Sequence, residues 1–136
     1  MIVDSGPLFA ALDRTDAEHA PCLRLFTESS EPLLVPAPVV VEVDYWIRKH
    51  LRAEVEDAFL ADLEVGALSV VDVLPQDYPR IRELCRTYYD SDLGFVDASI
   101  LTIAERLNVT RIATLDHRHF RMMRPRHVDA LTLLPE

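Results

Sequence analysis

Lysine occurs once in the 136-residue chain, cysteine twice and glycine three times. With so little glycine and no low-complexity tract, nothing marks a long linker or a disordered arm. A hydrophobic share of 49% is enough for one domain spanning residues 1–136 to bury a core. Cys22 and Cys85 are too few for a disulfide framework, and neither stands in a C-x-x-C or Cys/His spacing that would hold zinc. Both read as core thiols. No apolar window is long enough to span a bilayer, and the first residues lack the basic, apolar and small-residue parts of a signal peptide. A cytoplasmic protein without membrane contact is the expectation.

Basic charge is scarce as well. The formal net charge of -9 argues against a nucleic-acid partner, because phosphates call for a basic surface. The distribution qualifies the sum. Between Arg111 and His127 five arginines (111, 118, 121, 124 and 126) and three histidines face one acid, Asp116, while the remainder carries 22 acids against nine Arg and Lys. Such a run is either a solvated face or a contact for RNA phosphates, with Arg118 and Arg121 the residues to watch.

Taken in order, MIVD is a short apolar run suited to a buried strand ending at Asp4. Ser5, Gly6 and Pro7 turn the chain into a helix carrying Leu8, Phe9 and Leu12. A second helix is expected from Asp16 to about Ser29 with Ala20, Leu23 and Phe26 inward, then a strand at Leu33 to Val35. Pro38 in a first turn, with Val39, Val43, Trp46, Ile47 and His50 at helical spacing, favours a helix over the strand that its β-branched opening also permits. Another helix ends at Gly66, a third strand covers Leu68 to Val71, and a helix runs from Pro75 to Tyr89. FVDASILTIAERL places Val96, Ile100, Ile103, Ala104 and Leu107 at helical spacing. RIATLD reads as a fourth strand ending at Asp116, HRHF as a helical turn, and Val128 to Leu133 as a weak last strand.

Strands alternating with helices predict an α/β fold, a parallel sheet of four to five strands with helices on both faces. Ligands of such sheets bind outside the carboxyl ends of the strands, where strand order reverses. Asp4 and Asp116 lie at two strand ends, and Asp97 and Glu42 in first turns of helices starting near that edge. Singly, each Asp is explained by helix capping. Glu42, among valines and a tryptophan, is not, since burying an unpaired charge is costly.

Two unit charges about 4 Å apart repel by roughly 4 kcal/mol at an effective dielectric near 20, so four convergent acids need a cation. No Lys or Arg is close in sequence to Asp4 or Asp97. A hard divalent ion on oxygen ligands, Mg²⁺ or Mn²⁺ rather than Zn²⁺, suits the set, and such a site serves phosphodiester hydrolysis. A phosphoacceptor receiver domain also gathers aspartates, but it needs a lysine after a late strand and none follows Lys49. A haloacid-dehalogenase-like phosphatase needs an Asp where Gly6 stands. A non-catalytic interaction module is the remaining alternative, and four intact acids do not favour it.

MIVDSGPL, the Glu in PVVVEV, GFVDASILTIAERL and IATLDHRHF resemble the four acidic motifs of the PIN domain, specifically of VapC-type toxins of bacterial toxin–antitoxin pairs. The resemblance spans Met1 to about Phe120, in order and at family spacing. It implies a three-layer PIN-like sandwich, a Mg²⁺- or Mn²⁺-dependent endoribonuclease, metal binding and catalysis by Asp4, Glu42, Asp97 and Asp116, and orienting roles for Ser5 and Thr114. It also implies a homodimer restrained by a cognate antitoxin. Asp92 is a possible extra acid. His117 and His119 receive no role from the resemblance and read as surface or structural, and Tyr88 and Tyr89 as packing that could stack on bases.

Overall fold

The computed structural model describes residues 1–136. Five parallel strands run in the order β3-β2-β1-β4-β5: β1 is Ile2–Val3, β2 Leu34–Pro36, β3 Ser69–Val71, β4 Arg111–Ala113 and β5 Thr132–Leu134. Ile2 sits opposite both Leu34 and Ile112, which makes β1 the centre of the sheet. Ile2 and Val3 are completely buried, as expected of a parallel strand covered on both faces. From β1 the chain moves one way to β2 and β3, then crosses to the other side for β4 and β5. Right-handed crossovers in opposite directions place helices on both faces, and the strand order reverses between β1 and β4.

Seven α-helices fill the connections: α1 Ser5–Leu12, α2 His19–Thr27, α3 Ala37–His50, α4 Ala53–Glu64, α5 Tyr78–Thr87, α6 Phe95–Leu107 and α7 His117–Met122. The helix ends follow local chemistry. Gly66 takes φ 77° just past α4, and Asn108 takes φ 54° at the end of α6, the left-handed conformation that Gly and Asn adopt most cheaply. Helix α6 is the hub. Its residues Ala98 to Ala104 are all buried, wider than the one-sided stripe of an amphipathic helix. Its two buried hydroxyls stay inside the helix, Ser99 donating to the Phe95 carbonyl at 2.7 Å and Thr102 to the Ala98 carbonyl at 2.8 Å.

Several expectations shift. Helix α2 starts at His19, buries Cys22 and leaves Leu23 42% exposed, so its inner face is rotated from the expected one. The Pro75 to Tyr89 helix is α5 flanked by two 3₁₀ turns, Pro75–Asp77 and Tyr89–Ser91. Trp46 and His50 do not point inward. They stack on one another outside α3 at 5.4 Å, with the lone Lys49 ammonium 5.5 Å from the indole. The lysine therefore lies on an aromatic surface rather than beside the acids. Strand β4 stops at Ala113, three residues before Asp116.

Candidate active site

The pairing of β1 with β4 sets the first acid. The Asp4 backbone N–H bonds the Ala113 carbonyl at 2.9 Å, at the carboxyl edge of the sheet. Its side chain caps α1, Oδ1 accepting from the Ser5 N–H at 2.7 Å, while Oδ2 accepts from the Thr114 hydroxyl at 2.8 Å. Thr114 Oγ1 also accepts the Asp116 N–H at 3.0 Å, so one buried hydroxyl ties two of the acids together. The Ser5 hydroxyl donates to Glu42 Oε1. Glu42 sits in the second turn of α3, not the first, held between the buried Val39 and Val43 on the helix's inner side.

Asp97 is the third residue of α6, whose N-cap is Gly94 without any side-chain bond. Capping is therefore not its role. Its Oδ2 instead lies 3.0 Å from Nδ1 of His119. Asp116 caps α7, accepting the His119 N–H at 3.1 Å, and its other oxygen lies 2.8 Å from the same Nδ1. The ring's far nitrogen, Nε2, is 3.0 Å from the Ser91 carbonyl. Both ring nitrogens thus face only oxygen acceptors, two carboxylates on one side and a backbone carbonyl on the other. Capping and clustering are compatible for Asp4 and Asp116, because a carboxylate has more lone pairs than a cap consumes.

The four acids line one solvent-open cavity of about 620 Å³, together with Ser5, Gly6 and the segment Gly94–Val96 and Leu115. Their proximity shows in their acidity. Burial pushes the Asp4 carboxyl up to about 6, opposed by the Thr114 and Ser5 hydrogen bonds and reinforced by the charges of Asp97 and Glu42. Asp97 is raised as well, first by burial, with His119 pulling it down and Asp116 and Glu42 adding to the rise. Donor atoms of Asp97, Asp116 and His119 lie within 4.8 Å of one another. Oxygen donors dominate the cavity, and two of its acids are held back from ionising, so a hard divalent cation fits this set.

Other expectations separate from the site. Asp92 is exposed, takes φ 62° after the second 3₁₀ turn and does not line the cavity. Tyr88 packs partly against the core and Tyr89 is 79% exposed, neither lining the cavity. The basic run is partly neutralised, Arg111 pairing with Glu31 at 2.9 Å and Arg126 with Glu83 at 2.6 Å. His119 is the residue that sequence reasoning missed: a structural role stands, but inside the acid cluster rather than on the surface. Its signal was the i, i+3 spacing from Asp116 on a helical turn, which places both side chains on one face.

A parallel α/β sheet with a carboxylate cluster at its switch point defines the class, a single-sheet α/β protein with an acidic site. The chain belongs to the PIN domain family, whose model matches residues 1–124. Among its relatives is ribonuclease VapC26 of Mycobacterium tuberculosis (strain ATCC 25618 / H37Rv), 30% identical over 135 residues that cover 99% of this chain and 100% of that protein. The fold is similar to that of M. tuberculosis VapC20, described as a sarcin-ricin loop cleaving toxin, with a TM-score of 0.75 at 18% identity over 87% of this chain and 91% of that one. VapBC2 from Rickettsia felis, solved bound to a DNA fragment from its promoter, matches with a TM-score of 0.67 at 18% identity, covering 97% and 95%. FitAcB from Neisseria gonorrhoeae matches at 0.60 and 19% identity, covering 88% and 89%.

Proposed function

We propose that this chain is the toxin of a toxin–antitoxin pair, a single cytoplasmic domain of residues 1–136 that acts as a homodimer and hydrolyses RNA phosphodiester bonds. In this reading Asp4, Glu42, Asp97 and Asp116 hold Mg²⁺ or Mn²⁺ and carry the catalysis. The supporting observation is that four acids from four distant segments line one open cavity at the switch point.

Asp4, Glu42, Asp97 and Asp116 would hold the divalent cation, which would supply Lewis acidity for phosphodiester hydrolysis. The chain's own groups do the rest. Thr114 and the Ser5 N–H hold the two Asp4 oxygens, Ser5 Oγ holds Glu42, and His119 holds Asp97 against Asp116. Such tethering keeps carboxylates in productive positions before substrate arrives. The acidic cavity also suits an arginine donated by an antitoxin segment, a charge-assisted plug that excludes both cation and substrate.

The test is cleavage of RNA by purified protein. Cleavage is expected with Mg²⁺ or Mn²⁺ and lost in excess chelator, and Asp97→Asn is expected to lower the rate by at least ~100-fold while circular dichroism stays unchanged. Cleavage that persists in chelator would overturn the assignment. A receiver-type phosphoacceptor is not supported, since Lys49 is committed to the Tyr45 and Trp46 rings.

A further inference from the structure

The cavity has one wall that acid–metal chemistry leaves unused. Phe95, the first residue of α6, lines it and is 44% exposed. Tyr78, the first residue of α5 and 52% exposed, stands behind it with ring centroids 6.3 Å apart and planes inclined by 31°. Neither ring belongs to the buried core. Two adjoining aromatics left in water are a cost that folding alone does not require, and one of them, Phe95, faces the acid-lined cavity.

We infer that Phe95, backed by Tyr78, is a stacking platform for the nucleobase next to the scissile phosphate. The inference rests on the ribonuclease reading and adds a base subsite to it. Phe95 precedes Asp97 by two residues in the same helical turn, and a nucleobase hangs one sugar away from its phosphate. A phosphate held against the carboxylate-bound cation therefore brings a flanking base within reach of the ring. Charge points the same way. The chain is net negative and the cavity is lined by acids, so an uncharged contact at this wall can hold RNA without adding to the repulsion of its phosphates. Aromatic faces supply such contacts for any base. A second copy of this chain is the other conceivable cover, but a protein surface sealed over Phe95 would close the cavity that Phe95 lines.

The experiment begins by mapping a cut made by the wild-type protein with Mn²⁺ in cellular RNA. Oligoribonucleotides spanning that cut are then made with 2-aminopurine at each flanking position. Wild-type protein is expected to quench 2-aminopurine at one of these positions. Phe95→Ala should abolish that quench and raise KM roughly 5- to 150-fold, as for loss of one base stack. Phe95→Trp should restore both, and Phe95→Leu, which keeps an apolar side chain without an aromatic face, should not. Absence of wild-type cleavage would overturn both readings. Full quenching by Phe95→Ala, or a wild-type KM for Phe95→Leu, would overturn this one alone. So would a Phe95→Ala protein that becomes monomeric with KM unchanged, because the ring would then serve a second copy of the chain.

Discussion

At Asp4, helix capping, strand pairing and site chemistry meet on one side chain. Its carboxyl is raised from the ordinary value of 3.8 to about 6, so the folded chain holds the proton more tightly than the unfolded one. Stability of the metal-free protein therefore falls as pH rises from about 4 to about 6, by an amount on the order of 3 kcal/mol. Asp4→Asn removes that loss. Its amide can still accept the Ser5 N–H and donate to Thr114 Oγ1, which replaces the Thr114-to-Asp4 bond. In chelator at pH 8 the variant should melt several degrees above the wild type, and at pH 4 the gap should vanish. Adding Mg²⁺ at pH 8 should raise Tm for the wild type only. Thermal unfolding followed by circular dichroism checks all of this. A variant that melts lower than the wild type at pH 8 in chelator would show that crowded acids are not the cost.

At the scale of elements, the short helix α7 carries more than its six residues suggest. His119 joins three segments, α7 itself, the start of α6 through Asp97, and the 3₁₀ turn before α6 through Ser91. Without its ring, Asp97 loses its side-chain partner and Asp116 keeps only the cap bond from the backbone N–H of residue 119. His119→Ala should weaken binding of Mn²⁺ by about 10- to 100-fold, the usual cost of removing a partner that orients metal-binding carboxylates. Calorimetric titration of the RNA-free protein measures this directly. An unchanged affinity would reduce His119 to a brace between helices. The helical spacing of Asp116 and His119 is legible in the sequence, but the meeting with Asp97, 22 residues earlier, is not. It depends on how α7 folds back across the start of α6.

At the scale of the whole molecule, net charge and local charge oppose one another. Arg111 and Arg126 of the basic run are committed to acids, while Arg118 and Arg121 project from α7, the helix that Asp116 caps. Both are exposed, which makes them the residues of the basic run to test for phosphate contact. Replacing both with alanine should raise KM and flatten its dependence on salt. The slope of log KM against log salt should fall by about 0.7 for each phosphate of single-stranded RNA that an arginine no longer neutralises. Phe95→Ala, by contrast, should raise KM without altering the slope, because it removes no charge. An unaltered slope in the double arginine variant would assign those residues to solvent.

Periodicity and residue chemistry determined the parallel α/β class and the order of the strand and helix segments, and the resemblance to the PIN motifs singled out the four candidate acids, because each of these is local or carried by a motif. Tertiary structure decided which faces those acids share. It moved Glu42 to a second turn, turned Trp46 outward, set Asp92 aside and brought His119 between two carboxylates. The physical reason is that helix rotation and loop path follow from packing across the sheet, and packing is a sum over partners far apart in the chain. A local pattern records which face is apolar, but it does not record what that face will meet.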